Sequence, residues 1–152
     1  MTEIERATDQ LRRAYEGEAW HGPALREVLA GVTAEQAAAR PIAAAHTIWE
    51  IVHHLAAWEH TVARRLGGEA VHDPPEGDWP PVTRTGEEAW RAALDWLERG
   101  HRTLLAAVAA LDDEGLERIP VPGGRATAYM QLHGSAQHHL YHAGQIAVLK
   151  KA

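Results

Sequence analysis

Thr33, Thr47 and Thr85 each stand three residues ahead of a glutamate or glutamine, beside an apolar stripe of helical period. The stretches are "TAEQ" at Thr33 to Gln36, "TIWE" at Thr47 to Glu50 and "TGEE" at Thr85 to Glu88. In such a capping box the hydroxyl and the longer side chain satisfy backbone N–H groups that a helix start leaves free. A chain punctuated this way is built for helices. "TIWE" opens a long one that runs to about Leu66 and stops at Gly67 and Gly68, with Ile48, Ile51, Leu55, Trp58, Val62 and Leu66 as its stripe. "TGEE" opens another, to about Leu111, with Trp90, Leu94, Leu97, His101, Leu105 and Val108 on one face. The same period predicts a first helix over Thr2 to Ala19 and a last one over Thr127 to Leu149. Short helices are expected at Pro23 to Ala30 and from Thr33 to just before Pro41, and an extended turn able to carry a short hairpin at Ile119 to Gly124.

Between the two central helices lies "GGEAVHDPPEGDWPPVTRTG", Gly67 to Gly86. It carries four of the chain's eight prolines, so it is a loop, and loops this long often cover a site. Four long helices in 152 residues imply an all-α four-helix bundle in one domain spanning residues 1–152. The net charge of −6 and the scattered basic residues argue against nucleic acid or an anionic membrane as partner. No apolar run has the length of a membrane span, and the charged start "MTEIERATDQ" lacks a signal-peptide core, so the expected location is cytoplasmic. There is no cysteine, which excludes disulfides, protein thiolate nucleophiles and cysteine-type zinc sites.

The chemistry therefore falls to the histidines. In "QHHLYHAGQI", His138 and His142 are four apart and project from one helix face, one turn from each other. His139 lies about 100° round from His138, and His139 with His142 is the alternative pair. Gln145 and Tyr141 stand where they could orient a ligand or substrate. Two imidazoles fall short of the roughly three protein ligands of a catalytic metal site, so the third must come from another helix. With Ile51 at the centre of its helix's apolar face, His54 falls about 60° away and His53 about 160°. This phase turns His54 inward and His53 to solvent. His101 also lies on an apolar stripe and reads as a satisfied core histidine, with a fourth-ligand role as the alternative. His21, His46 and His72 fall at breaks or in loops and read as solvated. The opposite face of the last helix, with Tyr129, His133, Ala136, Leu140, Ala143 and Ala147, would admit another helix closely, including one from a second subunit.

"HTIWEIVHHLAAWE" and "QHHLYHAGQI", in this order and with "AWHGPALREVLAGVTAEQAAARPI" upstream, resemble the DinB-like (DinB/YfiT-like) superfamily of metal-dependent enzymes over nearly the whole chain. The resemblance implies an up-down-down-up bundle, a homodimer, and a divalent metal held by three histidines, here His54, His138 and His142. Zinc or nickel is the expected ion, with iron and manganese as alternatives. His139 stands where relatives often carry another residue. The implied activity is a small-thiol-dependent S-transferase acting on a small molecule. Metal-dependent hydrolysis is the second reading, and a non-catalytic metal-binding stress protein the third. Hydrolysis calls for a general acid/base. Glu50 is expected to be spent on capping, and Glu59 reads as poorly oriented, which favours thiol transfer.

Overall fold

The computed structural model describes residues 1–152 and is all-helical. Four long helices, α1 (Glu3–Tyr15), α4 (Ile48–Leu66), α5 (Glu87–Ala109) and α6 (Ala128–Leu149), form the bundle. Two one-turn helices, α2 (Leu25–Leu29) and α3 (Ala34–Ala38), and a 3-10 turn at Gly115–Glu117 complete it.

Helix directions follow from which residues meet. Trp49 faces Trp90, and His60 reaches the carbonyl of Trp96, so α4 and α5 run parallel. Arg65 reaches Gln131, while His54 meets His138 and His142, so α6 runs against α4. Tyr15 bonds Glu98 and Ile4 bonds Asp113, so α1 runs against α5. The order is up-down-down-up. Parallel neighbours need a connection that returns along the bundle, a length of roughly 28 Å for α4. The loop of residues 67–86 makes that return. It passes back over α4 and lays Asp78, Trp79 and Pro80 beside His53 and His54.

Local chemistry explains most element ends. Thr33 with Gln36 and Thr47 with Glu50 form the expected capping boxes, and Thr2 with Glu5 forms another. Thr127 caps α6 through the Met130 N–H. The box expected at Thr85 to Glu88 does not form. Gly86, at a φ of 107°, is the cap residue, and the neighbouring Glu87 accepts the N–H of Ala34 across to α3. The first helix stops at Tyr15 rather than Ala19, because Gly17 and Glu18 leave the helical region. No strand forms at Ile119 to Gly124. Val121 is buried there, and its carbonyl closes a turn onto Gly124.

The apolar core is divided in two. The larger cluster centres on Trp49, Trp90, Leu55, Leu97 and Ile146, and the smaller on Leu11, Val62, Leu104 and Leu132. Between them lies a layer of buried polar side chains: Glu59 from α4, His101 from α5 and His139 from α6. Ala136 and Ala143 of α6 are buried in these same clusters, so most of the small-residue face packs within the chain.

At Gly100 the helices α4 and α5 come so close that an added Cβ would lie 3.1 Å from the Glu59 Cβ. Gly100→Ala is therefore expected to destabilise the fold by about 1 kcal/mol or more, overpacking outweighing the helix propensity gained. Urea denaturation checks this, and an unchanged midpoint would mean the helices can part there at no cost.

Candidate metal centre

His54 is presented by α4, one turn after the capping box, with its side chain turned inward and almost covered. His138 and His142 come from successive turns of α6, which crosses α4 at this height. One nitrogen from each of the three lies within 4.8 Å of the other two. His54 Nε2 and His138 Nε2 are 2.8 Å apart.

The second nitrogens explain this convergence. His54 Nδ1 lies 2.6 Å from the backbone carbonyl of Asp78, which can only accept, so Nδ1 carries the proton and Nε2 a lone pair. His142 Nδ1 lies 2.6 Å from the Gln145 side-chain oxygen, which fixes the same tautomer. Metal-binding histidines are held in this way by an outer acceptor. A lone pair on His54 Nε2, so close to His138 Nε2, needs a proton or a cation between them. The donor set, three imidazole nitrogens, suits zinc, nickel, copper or iron.

All three rings favour the neutral form. Burial pushes His138 down to about 3, helped by the neighbouring His142 and His54. Burial also takes His142 down to about 4, against its bond to Gln145. His54 is lowered by burial, partly offset by Asp78. An imidazole must be neutral to ligate, so the pocket holds these rings in the ligating state.

The other histidines are accounted for. His53 is not in solvent. It is half-buried under the returning loop, between the Trp49 indole N–H and the Pro80 carbonyl, and it points away from the cluster. The returning loop covers that face of α4 as well. His46 is not merely solvated either, since its ring stacks on Trp79, which stacks in turn on His54 at 4.0 Å between centroids. His101 is fully buried and joins Glu59, Glu16 and the Tyr15 ring, not the cluster. His139 turns into the same layer, with Nε2 against Glu59 Oε1, so α6 sends two adjacent histidines to two different places. Glu50 is spent on its cap and on Arg40 and His46.

Two cavities adjoin the cluster. One is a cleft of about 760 Å³ lined by His54 and His142 with Ile42, Ala45, Ile51, Trp79 and Val148. The other, about 410 Å³, borders His54 and His138, with Trp58, Val62, Asp78, Gln131 and Ser135 on its wall. Sequence reasoning missed Asp78, whose contribution is a backbone oxygen, and missed how deeply Glu59 is buried. Trp58, expected in the core, is half-buried and donates its indole N–H to Asp78 Oδ1 at 2.7 Å.

The DinB superfamily profile matches residues 7–146, nearly the whole chain. The chain belongs to the DinB superfamily. Its fold is similar to that of a solved structure described as the conserved protein of a locus from Enterococcus faecalis, with a TM-score of 0.69 at 15% identity, covering 99% of this chain and 96% of that one. No functionally curated protein matches. Superfamily membership and the three-histidine cluster together fit a metal-binding protein. No helix is long and apolar enough to cross a membrane.

Proposed function

We propose that His54, His138 and His142 hold one divalent ion, zinc or nickel before iron or manganese, and that the protein is a small-thiol-dependent S-transferase. The observation that carries this reading is the convergence of three neutral imidazoles beside an open, largely apolar cleft, in a chain with no cysteine. When bound, a divalent ion at three uncharged ligands keeps its full charge and deprotonates a bound thiol. The protein's own part is to orient and to exclude water. Asp78 and Gln145 fix the two ring tautomers, Trp79 shields His54, and the cleft wall accepts an apolar electrophile.

Hydrolysis would need a free base near the histidines. Glu59 is turned into the core layer, and Asp78 Oδ1 is engaged by Trp58 and lies 3.2 Å from His54 Nδ1. Glu59 is therefore withdrawn from the site, and the exposed Asp78, with Oδ2 unengaged, is the base that hydrolysis would have to use. On α6, Tyr129, Met130 and Leu140 remain exposed away from the cleft, and they support a homodimer through that helix.

The test is consumption of 1-chloro-2,4-dinitrobenzene by metal-loaded protein with and without small thiols. Turnover that needs both thiol and metal is expected. Ester hydrolysis without thiol would replace this reading with hydrolysis. Retained metal that binds neither thiol nor azide would make the site structural.

A further inference from the structure

His54 and His142 each have an outer acceptor, the Asp78 carbonyl and the Gln145 side-chain oxygen. His138 has no such acceptor, and its contact at hydrogen-bond distance is with His54 itself. The placing of His138 therefore falls to the backbone of α6, and something must hold that backbone still. An imidazole nitrogen stands roughly 6 Å from its helix axis, so a roll of α6 by about 10° would move it about 1 Å, against the roughly 0.2 Å that a coordination bond tolerates.

The next residue supplies the hold. His139 is fully buried, with Nε2 against Glu59 Oε1 of α4. Glu59 lies about 7.5 Å along α4 from His54, and His139 lies about 100° round α6 from His138. Helix α4 thus grips α6 at two points that differ in height and in direction. One point leaves a helix free to roll, and two fix both roll and slide. Glu59 is held in turn. His101 Nδ1 of α5 lies 3.7 Å from Glu59 Oε1, and the His101 ring stacks on Tyr15 and meets Glu16 at the end of α1. All four long helices meet in this layer.

Stability does not account for such a layer. Glu59 Oε2 and His139 Nδ1 are buried without a hydrogen-bond partner. An apolar filling of similar volume is often as stable or more so. What directional contacts add is a single arrangement, since apolar cores lose uniqueness before they lose stability. A coordination site needs that single arrangement. We infer that Glu59 and His139 are positioning residues of the metal centre, a pin between α4 and α6 that sets His138 and His142 against His54. The inference rests on the three-histidine reading of that centre.

The experiment compares wild type with three variants: Glu59→Leu combined with His101→Leu and His139→Leu, Glu59→Gln combined with His139→Leu, and Glu59→Gln alone. The first two break the pin and remove the Glu59 charge. The third keeps an oxygen that accepts from His139. Melting temperatures are measured on the apoproteins. Cobalt is then titrated in, and its visible bands report the ligand geometry. The two variants without the pin are expected to fold and to bind cobalt about tenfold or more weaker, the scale of losing an outer partner, with altered bands. Glu59→Gln alone is expected to keep the wild-type affinity and bands. Folded variants without the pin that match wild type in affinity and bands overturn the inference, because the layer is then packing only. A comparable loss in Glu59→Gln alone also overturns it, since the charge and not the contact would then be operative. Failure of both variants without the pin to fold overturns it as well, because the layer would then support the whole fold. If wild type binds no cobalt, the metal reading falls and this inference with it. The other outcomes leave that reading standing.

Discussion

Protein purified without a histidine tag is expected to carry about one divalent ion per chain, and His54→Ala, His138→Ala and His142→Ala each to carry almost none. Elemental analysis is the measurement. The contrast with neighbouring histidines gives the test its edge. His53→Ala and His101→Ala should keep the ion, because His53 lies under the loop and His101 lies in the buried layer below. A graded result is expected one contact further out. Gln145→Leu leaves the three nitrogens present but removes the acceptor that holds the His142 tautomer. It should weaken the metal by about 10–100-fold, the usual effect of losing such an outer partner. If His53→Ala emptied the site, the orientation of α4 would be wrong. If no variant changed the metal content, the ion would be sitting elsewhere.

That His54 faces inward could be read from one helix, because the phase relative to Ile51 depends only on local geometry. The pairing of His138 with His142 is local in the same sense. What could not be read belongs to contacts between elements. Glu59 lies off the stripe centred on Ile51, yet it is 2% exposed. It is buried because Gly100 lets α5 approach closely and because α6 brings His139 onto it, and neither fact is visible in the sequence around Glu59. The Asp78 carbonyl that orients His54 is a backbone atom and has no residue signature. It arrives there because α4 and α5 are parallel, which forces the connecting loop back along the bundle. The length of that loop was legible, and its path was not. The box at Thr85 to Glu88 matched the capping pattern, but the helix starts at Glu87, so Gly86 and not Thr85 is its cap residue. The small residues of α6 suggested a second subunit, and Ala136 and Ala143 are filled by the chain's own core.

Glu59→Ala is expected to cost about 3–5 kcal/mol, the scale for removing one partner of a buried charged pair. For a chain of this size that is a fall in melting temperature of about 10 °C or more. The carboxylate is fully buried. Burial alone would raise its pKa, but His139 and His101 beside it hold it below the usual carboxylate value of 4.5. The groups around the layer are His139 from α6, His101 from α5, and Tyr15 and Glu16 at the end of α1. Glu16 accepts from His101 Nε2 at 3.3 Å, so that ring lies between two carboxylates. A carboxylate whose pKa is depressed by folding adds stability above its unfolded pKa, and that stability is lost as pH falls through the folded value. The wild-type apoprotein should therefore lose this contribution below pH 4.5, and the Glu59→Ala variant should show a shallower acid loss. Urea denaturation of apoprotein at several pH values measures both effects without the metal's own contribution. The same physics predicts a rescue. Glu59→Leu combined with His139→Leu and His101→Leu removes every charge from the layer and joins the two apolar clusters, so it should recover much of the lost stability. Should Glu59→Ala cost less than about 1 kcal/mol, the carboxylate is not ionised in the folded protein, and the layer is a set of neutral hydrogen bonds instead.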